Sequence, residues 1–195
     1  METLAVTPPV PLSKAGRIAH DVGLAGLLGG TLFGRLALHP SVTAISDPYE
    51  RGKLVNAAWR RYGIVNTLSL AAVVTGWAGA RLDEASDRRL SPTERRLARA
   101  KDALVGFVAV TGIAAAIEGT RFSREAPQGA VPLQDGDHTA PEATRDQKSV
   151  KRTLNALGAA SLAGEVALVA VNAALDQESH RRPPLRRLVP VVGRI

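Results

Sequence analysis

Apolar and charged residues separate along this chain into four apolar blocks divided by strongly charged stretches. The first block runs from Ile18 to Leu38, with His20, Asp21 and Arg35 near its ends. The second, Tyr62–Ala80, contains no charge, and the third, about Ala103–Thr120, is broken only by Glu118. The fourth, Thr153–Leu175, holds a single charge, Glu165, close to its centre. About 20 apolar residues, at ~1.5 Å each along a helix, span a hydrocarbon core of ~30 Å. The blocks are rich in Ala and Gly, and no proline interrupts them. The pattern predicts an all-α, polytopic membrane protein: a four-transmembrane-helix bundle, left-handed, with both termini on the same side. It forms a single domain over 1–195, with helices at about 17–38, 48–81, 92–121 and 150–177. The competing reading is a soluble four-helix bundle whose buried helices are Ala-rich.

Two helix starts are written in the sequence. Asp47-Pro48-Tyr49-Glu50 and Ser91-Pro92-Thr93-Glu94 each place a short polar residue as N-cap, proline at the first helical position and Glu at the third. Helices two and three therefore start well before their apolar blocks and project roughly 15–20 Å beyond the hydrocarbon as basic extensions. Trp59 and Tyr62 at one end of block two, and Trp77 near the other, read as an interfacial aromatic belt. Two tryptophans on one helix are also consistent with plain core residues.

Helices in lipid associate through small and polar residues rather than through apolar burial. Gly26, Gly30 and Gly34 form a doubled GxxxG ridge on helix one. Packing within the chain is the preferred role for this ridge, with a homodimer as the alternative. Steps of three and four align Gly158, Ser161, Glu165, Leu168 and Asn172 on helix four, and Tyr62, Asn66, Ser69, Val73 and Gly76 on helix two. Helix three offers Leu104, Phe107, Thr111, Ala114 and Glu118. These stripes are expected to face the bundle interior.

Glu165 is the residue that invites a function. An ionised carboxylate at mid-membrane costs roughly 2.5–3.5 kcal/mol on insertion scales, so it should face inward. No Lys or Arg lies at its depth, and the neutral acid is expected unless water enters. In one reading Glu165 is a protonated residue that fixes helix register by hydrogen bonding. In the other, Glu165 with Asn172, Asn66, Thr111 and Ser69 forms a site for a proton, a cation or a small polar ligand. Glu118 and Arg35, at comparable depth, are expected to pair.

Composition narrows these options. The chain has no cysteine, which removes disulfides, Cys-based metal sites and Cys nucleophiles. Its net charge is +7 with an aromatic content of 4%, and the cations cluster at helix ends. That distribution fits anionic lipid and does not fit nucleic acid. The terminal side carries the larger share of Lys and Arg, which favours termini in the cytoplasm of an inner (plasma) membrane protein. The Pro-rich polybasic tail RRPPLRRLVPVVGRI suits an anionic leaflet, or is simply a solvated end.

Block one reads as an uncleaved signal anchor. The segment 124–147, rich in Pro, Gly and Asp, is expected to be a flexible loop, and 1–14 and 181–195 flexible tails. Ala19-His20-Asp21 and Ala100-Lys101-Asp102 open blocks one and three, a short hint of a duplicated hairpin. No catalytic or metal motif is present. His20 and His39 lie at opposite ends of helix one and cannot share a haem, and DGDH at 135–138 lacks the later ligands of a calcium loop.

GGTLFGRLALHP, ISDPYERGKLVNAAWRRYGIVN and SPTERRLARAKDALVG give the whole chain its resemblance to uncharacterised four-helix integral membrane proteins of high-GC bacteria. That resemblance implies membrane location, and it brings no catalytic residues with it. The expected role is an accessory, scaffold or interaction protein of the membrane, with anionic lipids and a homodimer or membrane protein as partners and no cofactor. The alternative is a proton-coupled or small-polar-ligand transporter or binding protein built on the intramembrane carboxylate.

Overall fold

The structure, a computed structural model, describes residues 12–83, 85–124 and 130–181. Four long helices dominate it, and all four are long and apolar enough to cross a membrane. The first is α-helical over Leu12–Phe33 and continues through a π-helical turn, Gly34–Leu38, a short α turn, His39–Ser41, and a 3-10 turn, Val42–Ala44. The second spans Pro48–Leu82, the third Pro92–Arg124 and the fourth Arg145–His180.

The π turn has a chemical cause. Pro40 has no N–H to donate and its ring crowds the carbonyl one turn back. The ladder widens ahead of it, so that the His39 N–H bonds to Gly34 O, five residues back. The first helix thus passes through Pro40 and ends later than its apolar block suggests. It also begins at Leu12, so residues 12–14 belong to a helix and not to the expected tail. The remainder of the two tails, including most of the polybasic segment, lies outside the described residues.

The helix starts behave as their chemistry requires. Asp47 accepts from the N–H groups of Tyr49 (2.7 Å) and Glu50 (3.1 Å), whereas Glu50 turns outward to Lys53 at 2.7 Å. Ser91 and Glu94 form the reciprocal box, with Ser91 N–H donating to Glu94 Oε2 at 2.8 Å and Glu94 N–H to Ser91 Oγ at 3.3 Å. Thr144 and Gln147 build the same box at the start of the fourth helix, which is why it begins at Arg145 and not near 150.

Neighbouring helices run antiparallel, first with second and third with fourth as close pairs, and the pairs meet through first–fourth and second–third contacts. The first pair is glycine-made. A Cβ at Gly76 would lie well inside contact distance of the Gly16 carbonyl oxygen, and one at Gly23 would be 2.6 Å from Ser69 O. Along the ridge, Gly26 faces Ser69, Gly30 lies under the Tyr62 ring and Gly34 under Trp59. Tyr62 donates its hydroxyl proton to Gly26 O. The ridge is therefore occupied by the second helix. In the second pair, Gly164 admits Phe107 and Val108.

The exterior is oily and the interior partly polar. Ile18, Phe33, Leu68, Val110, Ile113 and Val166 point outward, while His20, Ser69, Thr111, Ser161 and Glu165 are buried. Exposed apolar side chains around a partly polar interior suit a hydrocarbon surround. The inward face of the third helix is rotated from the expected stripe: Lys101, Val105, Val108 and Thr111 are buried, and Phe107 is exposed. Trp59 stays near the surface, but Trp77 is only 8% exposed and packs inside the bundle, where the core reading of that residue holds.

The largest correction concerns the segment expected to be flexible. Residues 125–129 lie outside the described residues, but 130–144 fold back over the end of the bundle where the first helix ends and the second begins. Val131 and Leu133 have no exposed surface and join Val42, Val55 and Phe122 in a second core. A one-pair bridge, Leu133 with Thr139, closes the segment on itself. Gly52 makes room for it, because a side chain there would strike the Val131 carbonyl. This segment is a cap.

Candidate functional site

Glu165 sits where its stripe predicts, on the inward face of the fourth helix and 2% exposed. Its Oε1 accepts from Ser161 Oγ at 3.1 Å and from Thr31 Oγ1 at 3.4 Å. Thr31 also bonds to Leu27 O, one turn back on its own helix. Oε2 has no hydrogen-bond partner among the described residues. The carboxyl thus ties the fourth helix to the first at mid-depth, with one oxygen left over.

The other four residues expected to share a site with it are elsewhere. Ser69 is buried but faces Gly26 across the first pair. Thr111 donates to the carbonyls of Phe107 (2.9 Å) and Val108 (3.2 Å) in its own helix, the usual satisfaction of a hydroxyl in an apolar setting. Asn66 lines a shallow groove of about 340 Å³ between the second and third helices, beside Leu70 and Gly112. Asn172 lies two turns beyond Glu165, at the end of the bundle where the first helix starts and the fourth ends, beside Asp21. Neither this groove nor the larger one between the first two helices reaches Glu165. The expected pair of Glu118 and Arg35 is also corrected. Glu118 pairs with Arg121 on its own helix at 2.8 Å, and Arg35 donates to Asn155 O at 3.0 Å. The first and third helices stand diagonally, so the second and fourth come between them.

Polar chemistry instead gathers at the two ends. At the terminal end, Lys101 stands 4.2 Å over the Trp77 ring and donates to Asn172, whose amide donates to Asp21 at 2.9 Å. The Trp77 indole N–H donates to Asp102 at 2.8 Å, and Arg81 joins Asp102 at 3.1 Å. His20 holds Val73 O at 2.8 Å through Nδ1, and its Nε2 has no partner among the described residues. Just outside the spans, hydrogen bonds from Arg81 and Arg99 hold the Asp87 carboxyl below the ordinary carboxylate range.

At the capped end, His39 joins the cap to the bundle. Its Nδ1 meets Asp137 Oδ1 at 2.9 Å, and Trp59 Nε1–H lies 3.3 Å from its Nε2. If the indole donates, Nε2 is the acceptor and Nδ1–H the donor to Asp137. Lys151, 6% exposed, donates to Gly136 O at 2.5 Å, and Asn155 donates to Asp137 O at 2.6 Å. Within the cap, burial pushes the Asp135 carboxyl up, but hydrogen bonds from the His138 ring and from the Asp137 and His138 amides outweigh it and leave it lowered. Sequence reasoning set the DGDH stretch aside as a failed calcium loop. Its role is to accept these helix-borne donors. Lys151 and Asn155, one turn apart at the end of an apolar helix, were the available signal.

Among the described residues no group of three or more His, Cys, Asp or Glu side chains is placed to hold a metal ion. No family model, no curated protein and no solved structure matches this chain.

Proposed function

We propose that the protein is a small inner-membrane bundle that serves as an accessory or scaffold, working through its outer faces and cap and not by passing solute through its centre. The observation that carries this reading is the closed setting of Glu165. Two hydroxyls satisfy one oxygen, and Asn66, Thr111 and Asn172 face other neighbours. A buried acid so placed specifies which helix faces which, a role known for lone polar residues in helix interfaces. The excess of Lys and Arg on the terminal side supports termini in the cytoplasm, with the cap on the opposite face.

One observation favours a second reading, a proton or small polar ligand carried on Glu165: its Oε2 is buried with no partner among the described residues. Substitution separates the two. Glu165→Gln keeps shape and hydrogen bonding without a titrating proton, and its stability in detergent is expected within about 1 kcal/mol of wild type. Glu165→Lys buries an unpaired cation and is expected to cost several kcal/mol. Proteoliposomes carrying a trapped pH dye should leak protons no faster with wild type than with Glu165→Gln. A proton flux abolished by Glu165→Gln would replace the scaffold reading with the second.

A further inference from the structure

We propose that the groove between the first and second helices is a binding site for one anionic phospholipid, its acyl chain lying over Gly29 and its phosphate held by Arg61. The groove is open, of about 620 Å³, and is lined by Gly29, Phe33, Trp59, Tyr62 and Arg61, with Gly30 and Gly34 covered by the Tyr62 and Trp59 rings. From Leu38 to Ala25 it follows the first helix for roughly 20 Å, a little more than the ~15 Å of hydrocarbon in one leaflet. The site rests on the bilayer placement argued under Proposed function, and it adds an occupant to it.

Two independent features point to a ligand. The first is Gly29. Gly26, Gly30 and Gly34 are explained by close neighbours on the second helix, but a Cβ at Gly29 would meet nothing within 4 Å. Gly63, Gly79, Gly106 and Gly119 are equally open, and of these five glycines Gly29 is the one that lines the groove. A side chain at that position would stand in the groove. The second is Arg61. At this end of the bundle Arg35 is held by Asn155 O, Arg51 by Ile45 O and Gln134 O, Lys53 by Glu50, Arg121 by Glu118 and Lys151 by Gly136 O. Arg61, like Arg60, Arg124, Arg145 and Arg152, makes no hydrogen bond or ion pair with the described residues, and of these five it is the one that lines the groove. It lies two residues from Trp59, at the charged end of the second apolar block, where lipid phosphates sit. A guanidinium fork there matches a phosphate diester.

Charge decides between a lipid and a second copy of the chain. The groove lining contains no carboxylate, and Arg60 adds a second exposed cation beside Arg61. Two copies meeting across this face would bring their cationic rims together with no acid to pair them. A phospholipid brings the missing anion and an apolar tail of the right length.

The test uses the full chain purified in mild detergent and offered phosphatidylglycerol or phosphatidylcholine, with bound lipid counted by native mass spectrometry. Wild type is expected to retain one phosphatidylglycerol in preference to phosphatidylcholine. Gly29→Leu fills the groove and should lower retention about tenfold or more. Arg61→Gln should abolish the headgroup preference while leaving some tail binding. Gly106→Leu, on the third helix where an added Cβ is equally unopposed, should retain lipid as wild type does. Equal retention by folded Gly29→Leu would overturn the site. So would a wild-type dimer that Gly29→Leu turns into a monomer, because the groove would then belong to a second copy. A wild type that stays monomeric and dissolved without detergent would overturn the bilayer placement itself, a failure distinct from loss of the groove.

Discussion

Replacing Gly76 with leucine is expected to pry the first and second helices apart and to destabilise the bundle by about 3 kcal/mol or more, at the upper end of what overpacking costs. The reason is that backbone meets backbone. A Cβ at position 76 falls well inside contact distance of the Gly16 carbonyl oxygen and 3.0 Å from both the backbone N and the Cβ of His20. No flexible side chain can swing clear, so one helix has to move. The movement would also stretch the 2.8 Å bond from His20 Nδ1 to Val73 O, stranding a polar ring that is 1% exposed. Gly79, one turn along, is the internal control. An added Cβ there meets nothing within 4 Å, so Gly79→Leu should change stability by less than about 0.5 kcal/mol. The midpoint of unfolding in a denaturing-detergent titration reads both. Equal midpoints for the two variants would mean that the first pair is not packed through Gly16 and Gly76.

The contrast between these glycines marks how far the sequence could be read. Block lengths give the four helices, and Pro48, Pro92 and their caps locate two helix starts to the residue, because local chemistry alone decides those positions. The inward position of Glu165 was legible for a similar reason: burying a polar group restricts where it can point. What helix spacing does not contain is which helices are diagonal. Arg35 and Glu118 match in depth, but they sit on the first and third helices, so their partners became Asn155 O and Arg121. Asn172 was grouped with Glu165 by its stripe, yet one stripe runs the length of the bundle and its two ends have different neighbours. The ridge at 26, 30 and 34 meets side chains of the second helix, while the backbone-to-backbone approaches at Gly16, Gly23 and Gly76 fall outside that spacing.

Composition alone does not reveal the cap. Pro, Gly and Asp in 124–147 signal the absence of regular elements, which is correct, but irregular backbone can still be fixed by donors that lie elsewhere in the chain. Those donors are on the helices. Arg51 reaches Gln134 O at 2.6 Å, Lys151 reaches Gly136 O and Asn155 reaches Asp137 O. The cap answers with Leu133 N–H to Pro48 O at 3.0 Å and Gly136 N–H to His39 O at 3.1 Å. By sequence, cations at helix ends read as contacts for anionic lipid. Two of these cations, Arg51 and Lys151, are clamps on a loop.

Gly52→Val is accordingly expected to unseat the cap and leave the four helices standing. The Gly52 Cα abuts the Val131 peptide so closely that any side chain would strike its carbonyl oxygen, with the peptide nitrogen 3.2 Å from the added Cβ. Val131 and Leu133, fully buried, would have to lift out of the cluster with Val42, Val55 and Phe122, and the clamps from Arg51 and Lys151 would lose their carbonyls. A local loss of about 3 kcal/mol raises the open population of the cap roughly 100-fold. Amide hydrogen exchange reads it directly. The N–H groups of Leu133, Gly136 and Ala140, all bonded in the folded cap, should exchange about 100-fold faster in Gly52→Val, with the core amides of the third and fourth helices unchanged. Gly63→Val, on the same helix with open space around it, should leave the cap amides protected. Protection retained in Gly52→Val would show that the cap does not rest on this glycine. Exchange that rises equally across all four helices would show that cap and bundle fold as one unit, making the cap a structural part of the scaffold and not a separable face of it.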